Sequence, residues 1–156
     1  MVYIVAVAQN RPIDVELGEW KYAGRGAILR ATTVSTGVAV ALSNPHTGRG
    51  YLGFFTADSV LQFRGMVRTV LAQSASPRDV LMWFSGAAYI PASHAAASEI
   101  NAEALSLRQH IAGRLNRTGF ALVAGSWLET GKCFNIALRC GTNRCFVSLM
   151  DDPYQR

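Results

Sequence analysis

Charge is scarce in this sequence. Only 16% of the 156 residues are charged while half are hydrophobic, and two of the fifteen basic residues are lysine. That balance excludes an intrinsically disordered chain, which needs high charge and little apolar surface. No apolar run reaches the roughly 18 residues required to cross a bilayer as a helix, so no membrane partner is expected. The apolar start, Val2 to Ala8, lacks a basic flank and passes into Gln9-Asn10-Arg11-Pro12. It reads as a first strand and not as a secretion signal, which points to the cytoplasm. Cysteine is limited to Cys133, Cys140 and Cys145, with no C-x-x-C spacing, so the usual zinc frameworks are missing. No other metal or cofactor motif occurs. Repeats, linkers and low-complexity segments are absent too. A chain of this length is expected to build one domain over residues 1–156, with a core that needs no covalent staples.

The bases that are present carry a net charge of +5, and thirteen of the fifteen are arginine. They are scattered: Arg25, Arg30 and Arg49 early, Arg64 and Arg68 on one helical segment, Arg108, Arg114 and Arg117 on another. Bases interleaved with aromatics, the mark of a nucleic-acid surface, do not occur, which argues against that partner. An anionic protein partner fits the charge at least as well. Cys140 and Cys145 flank Gly141-Thr142-Asn143-Arg144, a hairpin turn by composition, and could face each other across two strands. In a reducing compartment such thiols stay reduced and serve as small apolar residues.

The stretch from Ala31 to Phe55 organises the chain. Val34, Val38, Val40 and Leu42 share one parity, with small residues between them, as in a packed strand. Asn44-Pro45-His46-Thr47-Gly48 is turn chemistry, and Tyr51 to Phe55 returns as a second strand. Gly37 and Gly53 stand inside these strands, where glycine marks close packing or close approach. Beyond Phe55 the period changes. Val60, Phe63, Val67, Val70 and Leu71 fall on a helical stripe, predicting a helix over 59–72 that Thr56 or Asp58 can cap. Val80 to Phe84 reads as a buried strand. Ile100, Ala104, Leu107, Ile111 and Leu115 predict a second helix over 98–116. Strands follow at Phe120 to Ala124, Cys133 to Arg139 and Cys145 to Met150. The expected core includes Val38, Val40, Leu52, Val67, Leu81, Trp83, Leu107, Ile111 and Leu122. The order of elements predicts an α+β domain, layered α/β/α, with a mixed or mostly antiparallel sheet and two main helices.

Val15-Glu16-Leu17-Gly18-Glu19-Trp20, about a dozen residues of spacer, and then Thr33-Val34-Ser35-Thr36-Gly37-Val38-Ala39-Val40 resemble the opening of the CheD family of chemoreceptor glutamine deamidases. That family carries a Gly-Glu-aromatic motif and, at like spacing, a Gly-Ser-Cys-Val-Ala-Val strand. The resemblance continues through Asn44-Pro45 and the return strand Gly50 to Phe55. Ser85-Gly86-Ala87 is similar to the family's Gly-Gly-Ala turn, so the likeness covers about residues 13 to 150. It implies the deamidase fold, in which a Cys attacks the glutamine side-chain amide, a His moves protons and a Thr completes the site. A thiol needs such a neighbouring base because it is mostly protonated near neutral pH. Here the Cys position is Gly37, the His position seventeen residues on is Phe54, and the Thr position is Ala31, next to Thr32 and Thr33.

None of these three side chains can act as nucleophile or acid–base. The candidate pocket is therefore Thr33, Ser35, Thr36, Gly37, Phe54, Ser85 and His94, with no catalytic residue at the family positions. Three functions follow. A non-catalytic, CheD-like protein with a binding or regulatory role accounts for the joint loss of Cys and His, and it calls for a protein partner. An amidohydrolase with a relocated site would use Ser35 or Thr36 with His94. A structural or assembly protein would use sheet edges or the basic face. Glu19 fits a turn-stabilising role better than a catalytic one.

Overall fold

In the computed structural model, which describes residues 2–4 and 11–153, the strands form two mixed sheets. They are β1 (Val2–Ile4), β2 (Ile13–Asp14), β3 (Trp20–Ala23), β4 (Ile28–Val34), β5 (Val38–Asn44), β6 (Arg49–Phe55), β7 (Leu81–Gly86), β8 (Ala121–Trp127), β9 (Lys132–Arg139) and β10 (Cys145–Asp151). The helices are α1 (Val60–Gln73) and α2 (Ala97–Leu115). The six-stranded sheet runs β1-β3-β6-β5-β7-β8 and the four-stranded one β10-β9-β4-β2. This is the α+β class with two main helices. Of the first-strand segment, Val2–Ile4 pairs in parallel with β3; Val5 to Ala8 lies outside the described residues. Neither helix is long and apolar enough to cross a membrane.

Strand β5 is central, and all seven of its residues are buried. Its alternation of large and small side chains sets the layering. Val38, Val40 and Leu42 face α1 and α2 in one cluster with Phe63, Val67, Val70, Leu107 and Ile111. Ala39 and Ala41 point the other way, into a second cluster with Leu29, Val34, Phe134, Ile136 and Leu138 of the four-stranded sheet. Small side chains on that face let the second sheet come close. Both helices therefore lie on one face of the large sheet, and the layer on its far side is β where helices were expected. The order is helices, sheet, sheet.

Two further expectations change. The run from Ala31 to Leu42 is not one strand. It ends in the small sheet at Val34, bends over Ser35–Gly37, and re-enters the large sheet at Val38. Leu122 is 59% exposed, because β8 is an edge strand paired only with β7. Leu81 is half-buried, and the remaining expected core positions are buried. The second edge, β10, is open as well. Val147 and Leu149 sit opposite the buried Ile136 and Phe134 of β9, on the core-facing side, yet are 54% and 62% exposed. Phe146 on the reverse side is 64% exposed. In the β9–β10 hairpin Cys145 pairs with Leu138 and not with Cys140, and all three cysteines are free thiols.

Candidate functional site

The Ser35–Gly37 bend is fixed from below by residues fifty positions later. The Ala87 N–H donates to the Gly37 carbonyl (2.7 Å) and the Ala88 N–H to the Ser35 carbonyl (2.8 Å). Gly86 lies so near that a β-carbon there would overlap the Gly37 carbonyl oxygen, and its φ of +128° is open only to glycine. Ala87, at φ +48°, holds a left-handed conformation that a non-glycine residue adopts only under constraint. The constraint is Arg108. Its Nε and Nη2 donate to the Ala87 carbonyl at 3.0 and 2.7 Å, while its guanidinium lies 4.0 Å from the Tyr89 ring centroid. Arg108 is thus a strut for the Ser85-Gly86-Ala87 turn.

Gly37 and Phe54 are neighbours. Strands β5 and β6 pair antiparallel with Ala39 opposite Phe54 and Val38 opposite Phe55. A β-carbon on Gly37 would stand 2.8 Å from Cε1 of Phe54 and 2.8 Å from the Phe55 carbonyl oxygen. The Phe54 ring occupies the space a side chain at 37 would need. The Gly18–Glu19 turn pins Phe54 in place: the Gly18 N–H donates to the Phe54 carbonyl (2.7 Å), and the Phe54 N–H to the Glu19 carbonyl (3.0 Å). The Glu19 carboxylate accepts from the Glu16 N–H (2.7 Å), so its side chain stabilises that turn. Ala31, at the third position, is buried in the inter-sheet core opposite Ile136.

The other candidates do not converge on one point. Thr33 sits at a register shift between β4 and β9, with φ +54° and its N–H bonded to Asn135 Oδ1 (2.8 Å), turned outward. The Ser35 hydroxyl donates to Asp152 Oδ2 (2.8 Å), a buried carboxylate that no motif singles out. Ser85 pairs with Ala39, in one row with Phe54 across three strands. Thr36 and His94 do share a cleft of about 280 Å³, together with Thr56, Ile90, Glu103 and Leu107. No hydrogen bond joins Thr36 to His94 among the described residues. The His94 Nδ1 accepts from the Ala96 N–H (3.1 Å). In the neutral ring Nε2 then carries the proton, so neither nitrogen has a free lone pair to take a proton from Thr36.

The cysteines offer no replacement nucleophile. Burial pushes the Cys140 and Cys145 thiols up to about 12. Burial, and then the carboxylates of Asp152 and Asp151, raise Cys133 as well. The nucleophilic species is the thiolate, and these environments suppress it. Among the described residues no three His, Cys, Asp or Glu side chains gather into a donor set for a metal.

No family model and no curated protein matches this sequence. Two of the solved structures to which it is similar are the following. One is the hypothetical protein YfiH of Bacillus licheniformis, 13% identical, with a TM-score of 0.37, covering 53% of this chain and 39% of that one. The other is YlmD from Geobacillus stearothermophilus, 11% identical, with a TM-score of 0.39, covering 69% of this chain and 50% of that one. The chain thus spans half or less of the length of either.

Proposed function

We propose that this chain is a non-catalytic, CheD-like protein that acts by binding a protein partner. The observation that supports this most is the packing of Phe54 against Gly37. The nucleophile and base positions of the deamidases are both chemically empty, and the ring removes the space a nucleophile would occupy. Loss of one group alone would leave a damaged enzyme; loss of both, with the gap filled, fits a fold kept for another use. The apolar side chains on the two open edges, Leu122 and Val123 on β8 and Phe146, Val147 and Leu149 on β10, support a protein partner. Exposed edges of this kind are where sheets recruit other chains. A role in assembly draws on the same edges.

The relocated-site alternative has one observation in its favour, the shared cleft of Thr36 and His94. It asks His94 to give up its bond to the Ala96 N–H before it can serve as a base. The test is ammonia release from glutamine-containing receptor peptides. The binding reading expects none. Release that disappears in His94→Ala or Thr36→Ala would establish the relocated site instead.

A further inference from the structure

On the outer side of the helical layer, away from the Gly37 bend, α1 and α2 border a groove of about 620 Å³. Arg64 and Arg68 enter it from α1, and His110, Arg114 and Arg117 from α2 and the turn after it. Arg64 and Arg68 are four apart, a spacing that puts both on one side of α1, and Arg117 follows Arg114 in the turn after α2. No acidic side chain lines the groove, and none of these four arginines takes part in an ion pair among the described residues. The negative end of the α2 dipole accounts for Arg114 and Arg117. It does not account for Arg64 and Arg68, which lie within the first two and a half turns of α1.

Four guanidinium groups thus stand together with no acidic partner among the described residues. His110 fits this setting: burial, and then Arg64 and Arg114, hold its pKa below the usual value, so it stands neutral among cations.

We infer that this groove binds a compact, multiply charged phosphate anion. Guanidinium forks match phosphate oxygens in pairs, which favours phosphate over a single carboxylate. The volume falls in the range of small-molecule sites. No phenylalanine, tyrosine or tryptophan lines the groove, so the broad rings on which the bases of a single strand usually stack are missing from its lining. The ligand is thus recognised by its phosphates. This inference is independent of whether the Gly37 region is catalytic.

The probe is inorganic tripolyphosphate, titrated calorimetrically into the full chain at low salt, with orthophosphate and a short DNA duplex as parallel arms. One equivalent of tripolyphosphate should bind, more tightly than orthophosphate, and weaken as salt rises. Arg64→Gln and Arg114→Gln should each lower affinity about tenfold, the worth of one charge-assisted hydrogen bond. Arg144→Gln, an exposed arginine of the β9–β10 turn, should bind as wild type. Without ligand the groove variants should melt no lower than wild type, since removing a like charge relieves repulsion. If Arg114→Gln fails to fold, Arg68→Gln serves in its place. The inference is overturned if tripolyphosphate does not bind, or if Arg144→Gln weakens it as much as the groove variants, which would mark a net-charge effect. It is also overturned if DNA alone binds, with affinity falling steeply with salt, because that would make the groove part of a nucleic-acid surface.

Discussion

Gly37 has room for a hydrogen and little else. A methyl group there meets the Phe54 ring and the Phe55 carbonyl at 2.8 Å, closer than packed atoms allow. Gly37→Ala should therefore destabilise the fold by roughly 1–3 kcal/mol, as overpacked sites do. In urea denaturation the same change made on a Phe54→Ala background should cost less, because the ring that obstructs it is gone. Equal costs on both backgrounds would mean the two residues are not coupled. The thiols give a second prediction at this scale. Cys140 and Cys145 are held protonated up to about 12, whereas an unfolded cysteine titrates near roughly 8.5. The folded state keeps protons that the unfolded state releases. Stability from these groups is thus complete below about pH 8.5 and is lost as pH rises toward 12. The urea midpoint should fall from pH 8 to 10, and a variant with both cysteines replaced by alanine should show a smaller fall.

At the scale of elements, the two helices were legible to within one or two residues. Their apolar stripes repeat at three and four positions, and a local pattern needs no knowledge of the rest of the chain. Helix α2 buries Ala104, Leu107, Ile111 and Leu115 along that stripe. Leu107→Ala or Ile111→Ala should cost about 2–5 kcal/mol, the usual range for emptying a packed aliphatic site. Leu122→Ala, on the open edge β8, should stay within about 0.5 kcal/mol of wild type. Denaturation of this pair of variants checks the assignment of faces. The break between β4 and β5 was not legible. Ala31 to Leu42 is uniformly β-forming, and the bend at Ser35–Gly37 is imposed by the N–H groups of Ala87 and Ala88. The layering was hidden for a like reason. Alternating valine and alanine in β5 signals a tight partner on the alanine side but not whether it is a helix or a sheet.

At the scale of the whole molecule, the chain has the layout of a layered α+β protein in which, among the described residues, the sheet edges β8 and β10 expose apolar side chains and one groove gathers four arginines that form no ion pair. The sequence showed the arginines but not their grouping. Arg108 was read alongside Arg114 and Arg117, yet it donates to the Ala87 carbonyl, while Arg64 and Arg68 reach the same groove as Arg114 because α1 and α2 both border it. The closeness of Gly37 and Phe54 was legible, because spacing placed them on neighbouring strands. The central claim is the proposed non-catalytic role, and ammonia release tests it most directly. Purified wild-type protein, incubated with glutamine-containing receptor peptides beside an active deamidase of the CheD family, should release none. Gly37→Cys alone should also release none, since its thiol would have no base beside it. Steady release by the wild type, lost in Thr36→Ala or His94→Ala, would contradict the account.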